Sequence, residues 1–259
     1  MARQRRPGFH AQDHDGPGLT FLLVALVIIA IAGAKFLGFT PGKGGTNDPA
    51  AATSDAAADA GAGAGAGAQY VVVTVAHPTE NYSPQQPHAQ GAGDIVAVSA
   101  AVVKSLQDAK VQAELVTPEI GLWEESFTLT RTALQPALAK QSATAVVDIH
   151  RDALEGKPEG YCTITVNDEP AAKLLLIVGD LDNPYVDENL AFAQKLQTEL
   201  EALAPGITRG VKVLHQAVNG DLHPNSVQVH IGEYTDNDTS EAMVTAKLLA
   251  QALGKAMQQ

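Results

Sequence analysis

From Tyr70 to the C-terminus, short runs of β-branched residues alternate with longer stretches whose apolar residues recur every three or four positions. No other feature narrows the fold as far. "YVVVTVAH", "VQAELVT", "TAVVDIH", "GVKVLHQ" and "NSVQVHIG" have the composition of strands. "DIVAVSAAVVKSLQDAK", "EESFTLTRTALQPALAKQ", "NPYVDENLAFAQKLQTELEALAPG" and "SEAMVTAKLLAQALGKAMQ" have helical spacing, the second with a kink expected at Pro136. "GYCTITVN" and "AKLLLIVG" are predicted to be two strands joined by a turn at Asn167-Asp168. Strands alternating with helices predict an α/β fold: a single three-layer domain over residues 70–259, with a mostly parallel sheet covered on both faces.

What precedes Tyr70 has a different character. Residues 1–18 are mostly polar and carry Arg3, Arg5 and Arg6, and residues 19–39 are predominantly apolar and uncharged except for Lys35. That run reaches the roughly 20 residues that a bilayer span needs, and a lysine near one end can extend its ammonium to the interface. It predicts one transmembrane anchor, and the arginines before it predict a cytoplasmic lead, with everything beyond Phe39 on the outer face. A cleaved signal ending at the small residues Ala32 to Ala34 is the alternative, and it exports the same domain. Residues 40–69 hold no aromatic or branched apolar side chain, so they cannot offset their ordering entropy and are predicted to be a disordered Gly/Ala-rich tether.

The chain has 17 basic and 29 acidic residues, a net charge of −12, and its basic residues are scattered. A nucleic-acid-binding groove is thereby excluded as an expectation. The lone cysteine, Cys162, has no partner for an intramolecular disulfide and reads as a small buried hydrophobe.

Chemistry concentrates at strand ends, where side chains of α/β folds point into a crevice rather than a core. "VAHPTENY" brings His77 with Glu80, "VVDIHRDA" brings His150 with Arg151 and Asp152, and "VQVHIGEY" brings His230 with Glu233. Imidazoles and a carboxylate at neighbouring strand ends have the donor types of a catalytic zinc site, in which three protein ligands leave a fourth position open. The expected ligands are His77, Glu80 and His150, with Asp94 as a second choice of carboxylate. Arg151, Asp152 and His223 are expected to bind substrate or orient a ligand. His88 reads as solvated, and Trp123, the only tryptophan, as core, with a sugar platform as the alternative.

"VDIHRDA", "NLAFAQKLQTELEALAPGITRGV" and "NGDLHPNSVQVHIG", together with "HPTENY", resemble segments of the stage II sporulation protein P family over about Tyr70 to Ala256. The resemblance implies an amidase-like fold and a zinc-dependent peptidoglycan hydrolase, related to N-acetylmuramoyl-L-alanine amidases. Such enzymes cut the amide between muramic acid and the stem peptide. It further implies a single-pass protein of the cell membrane, working on the wall beside a lytic transglycosylase of the stage II sporulation protein D type. Two positions depart from the family pattern. Val75 stands where the family has an additional histidine, and His230 stands where it has a glutamate resembling the amidases' catalytic one. His230 could serve as the general base, with Glu233 as a substitute, or become an extra ligand that closes the site. A non-catalytic peptidoglycan-binding scaffold is the alternative function.

Overall fold

The computed structural model describes residues 69–154 and 156–258. The expected lead, anchor and nearly all of the tether lie outside them. Among the described residues no helix is long and apolar enough to cross a membrane.

Strand β1 (Tyr70–Thr74) leads through α1 (Asp94–Asp108) to β2 (Gln112–Val116). A short 3-10 turn, Trp123–Glu125, precedes α2 (Ser126–Lys140), which runs through Pro136 without ending, and then β3 (Ala145–Asp152). β4 (Thr163–Val166) and β5 (Glu169–Ala172) form a separate antiparallel hairpin. β6 (Leu174–Gly179), α3 (Val186–Leu203), β7 (Thr208–Leu214), β8 (Ser226–Glu233) and α4 (Thr239–Ala256) complete the domain. The main sheet has the order β2-β1-β3-β8-β6-β7, parallel throughout except where β6 runs against β8.

The hairpin corrects the sequence reading. Asn167 and Asp168 do turn, both with positive φ, but the strand that answers β4 is "EPAA", and "LLLIVG" departs into the main sheet. Glu169–Ala172 has no β-branched residue and contains a proline, so it carries no strand signal of its own.

Alternation along the strands divides the core. Val71, Val73, Ala145, Val147, Ile149, Val227, Val229 and Ile231 join the large cluster that also holds the apolar faces of α1, α3 and α4. Tyr70, Val72 and Val146 face the other way, where Leu134 and Ala137 of α2 cover them. The fold is thus three-layered and mostly parallel. Asp148, His150 and Asp152 alternate with Ala145, Val147 and Ile149 and so lie on the α2 side. On β8, Gln228 and His230 share that face with them.

Candidate functional site

At the C-terminal ends of β3 and β8 a cavity of about 690 Å³ opens on the α2 side, lined by His77, Glu80, Trp123, His150, Asp152 and His230, among others. Adjacent parallel strands put His150 and His230 in direct register, with ring centres 5.2 Å apart. His77 follows β1, and its ring centre lies 5.1 Å from that of His150.

His230 has the most informative surroundings. Its Nδ1 lies 2.6 Å from Asp152 Oδ1, close enough to donate to the carboxylate. Arg209, at the start of β7, grips the other oxygen of Asp152. Nε2 of His230 is buried without a hydrogen-bond partner. Burial and the neighbouring His150 lower the His230 pKa, opposed by Asp152, so the ring is neutral with its free lone pair on Nε2. Burial works against ionising Asp152, but His230 and Arg209 hold its carboxyl below the ordinary range.

His150 is almost fully buried, with Nε2 3.0 Å from Asp148 Oδ2 and 2.9 Å from the Gln228 side-chain nitrogen. The Asp148 contact is an ion pair off the hydrogen-bond axis, since Oδ2 has no aligned donor. Burial opposes protonation of His150, yet Asp148 and Glu80 raise its pKa overall. Asp148 Oδ1 accepts from the Ala76 amide, tying the β1 exit to this carboxylate.

Asp148 and Arg209 stand within the segments that resemble the family, but the sequence alone assigns neither a role. For Asp148 the signal was present, because it stands two residues before His150 and therefore on the same face. For Arg209 it was absent, since the contact is made across the sheet.

The donors fit zinc in type. His77 is held neutral, its pKa pushed down to about 3 chiefly by burial and the neighbouring His150. Burial pushes the Glu80 carboxyl up, a shift that a bound cation would offset. Asp148 lies 3.0 Å from His150 Nε2, beside the nitrogen that a metal held at Nδ1 would leave free. Glu80 Oε2 is 3.8 Å from His150 Nδ1. Two imidazoles on one tetrahedral zinc place their ring centres roughly 5 Å apart, given bonds of about 2 Å, and the His77–His150 pair has that spacing. Among the described residues, however, no three His, Cys, Asp or Glu side chains gather as a preformed metal cluster. Asp94 instead accepts from the Tyr82 amide.

Other expected site residues have different occupations. Glu233 is buried and accepts from the Leu154, Thr235 and Asp236 amides and the Thr235 hydroxyl, so it organises its own loop outside the cavity. Arg151 borders the cavity but spends its donors on the carbonyls of Asn81, Asp152 and Pro87, clamping the loop after β1. His223 bridges Ala143 and the Asn225 amide and lies outside the cavity. Trp123, read as core, is 53% exposed at the cavity mouth and stacks flat on His77, with centres 3.5 Å apart. His88 is exposed, as expected, and meets Trp123 edge-on. Cys162 is buried as expected.

A family model described as Stage II sporulation protein P (SpoIIP) matches residues 43–254. The chain belongs to this family. No curated protein sequence matches the chain. Among solved structures it is similar to the CwlD amidase from Clostridioides difficile in complex with the GerS lipoprotein, with a TM-score of 0.53 and 12% identity over 73% of this chain and 98% of that one. It is also similar to N-acetylmuramoyl-L-alanine amidase AmiC2 of Nostoc punctiforme, with a TM-score of 0.48 and 18% identity over 75% of this chain and 100% of that one. The CwlD likeness carries the amidase-like fold to this SpoIIP member.

Proposed function

We propose that this SpoIIP member hydrolyses the amide between muramic acid and the stem peptide of peptidoglycan, with zinc as cofactor, during cell-wall remodelling of the sporulation type. The observation that carries the reading is the buried, unpartnered Nε2 of His230, oriented by Asp152 and Arg209 in the cavity that also holds His77, Glu80 and His150. Those last three are the residues that would hold the metal. Zinc, when bound, polarises the scissile carbonyl and makes water acidic enough to attack near neutral pH.

The chain's own groups do the rest. His230 Nε2 accepts a proton as water attacks the amide carbon, and the imidazolium so formed is stabilised by the Asp152 carboxylate on its other nitrogen. The same proton then passes from Nε2 to the departing amine nitrogen as the C–N bond breaks, which returns His230 to its starting state. Asp152 fixes the tautomer and stays ionised, and Arg209 fixes Asp152.

The absence of a preformed metal cluster among the described residues favours one second reading, a peptidoglycan-binding scaffold that does not cut. Incubating the full chain with purified peptidoglycan and zinc, followed by mass analysis, separates the two. Free stem peptides are the expected product. Intact sacculi carrying bound protein would leave the scaffold.

The apolar run at residues 19–39 and the arginines before it support a membrane anchor with the domain on the outer face. We further propose, from the resemblance of the sequence segments alone, a wall-cutting partner of the stage II sporulation protein D type.

A further inference from the structure

The mouth of the cavity holds an arrangement that the proposed chemistry does not use. Trp123 presents one indole face to His77 and lies more than half exposed. Beside it Ile120 and Leu122 are 51% and 66% exposed, and a second cavity of about 190 Å³ is shared among Ile120, Leu122, Trp123 and His77. Three large apolar side chains in four positions are a costly thing to leave in water, and such patches mark binding sites. The stack on His77 and the edge contact with His88 hold the indole, so binding there costs little ordering.

Charge narrows the occupant. Glu119, Glu124 and Glu125 are exposed around the patch. A stem peptide, which carries free carboxylates, is repelled there, whereas an uncharged pyranose is not. The C–H bonds on a pyranose face are positively polarised and complement the negative face of an indole. The cavity lining also includes the side-chain amides of Gln216 and Gln228, the latter already against His150.

Building on the amidase reading, we infer that Trp123 is a sugar platform: its ring stacks on a pyranose of the glycan strand, placing the glycan at the Trp123 rim of the cavity.

Because Trp123 is the only tryptophan, the full chain reports on this residue alone. Peptide-free glycan strands should change its fluorescence saturably, and free stem peptide should not. Trp123→Ala should weaken binding to those strands about tenfold, which is about the worth of one aromatic stack, and Trp123→Phe should recover most of it. Unfolding midpoints of both variants, read by circular dichroism, establish that they are folded. Emission that ignores glycan, emission that answers to stem peptide, or an alanine variant that binds like the parent would each overturn the inference. Glycan-dependent emission without amide cleavage would sustain it and defeat the hydrolase reading. Cleavage without glycan-dependent emission would do the reverse.

Discussion

His230 donates through Nδ1 to a carboxylate that Arg209 holds from the other side, and this couples three strands in one chain of charge. Replacing Asp152 with Asn removes the group that favours the catalytic tautomer. Asp152→Asn should lower kcat by roughly 10²–10⁴-fold with KM little changed, measured as stem-peptide release. The same geometry sets the pH response. With its pKa lowered by burial, His230 remains a competent base at pH values where an ordinary histidine, near 6.5, would already be protonated. The acidic limb of kcat should therefore lie below pH 6.5. A limb at or above that value would show that another group limits the reaction. Much of this was legible in "VVDIHRD" and "VQVHIG", because residues two apart share a face. The fates of Glu233 and Arg151 were not legible, since which backbone groups lie within reach of a loop side chain is decided only by the tertiary fold.

Elements place these residues, and the least regular one depends on a glycine. Gly232 has φ +64, and a Cβ there would come within 2.5 Å of Asn237 Oδ1 and 2.9 Å of the Ala172 Cβ. The glycine lets β8 bend where the register against β3 shifts and the β4–β5 hairpin packs close. Gly232→Ala should cost about 1–3 kcal/mol of stability, readable as a lower denaturation midpoint in urea. The strongly patterned elements, β1, β3, β8, α3 and α4, all lie where periodicity and composition indicated. β5 escaped because its pairing is imposed by the Asn167-Asp168 turn rather than by its own residues, and Trp123 was misplaced because amphipathic spacing cannot tell a core face from the rim of a cavity.

At the scale of the molecule, the buried histidines govern how acid acts on the fold. Burial lowers the pKa values of His77, His88, His223 and His230, so unfolding lets each take up a proton near pH 6.5. Their contribution is complete above that pH and is lost as pH falls below it. His150 and Glu80, whose pKa values are raised, act in the opposite sense. Four groups against two predict that the thermal midpoint of the metal-free protein, held in chelator, declines from pH 7 to pH 5; a flat or rising midpoint would contradict the balance. The position of β8 bears on how the site comes into being. β8 lies between β3 and β6, so a chain without it holds two disconnected sheets, β2-β1-β3 and β6-β7. Asp152 and His230 are 78 residues apart in sequence, and such distant pairings form late because loop closure must precede them. A chain emerging N-terminus first therefore carries neither a continuous sheet nor its proton acceptor until its final strand arrives, and whatever the cavity does to the wall begins only when the domain is whole.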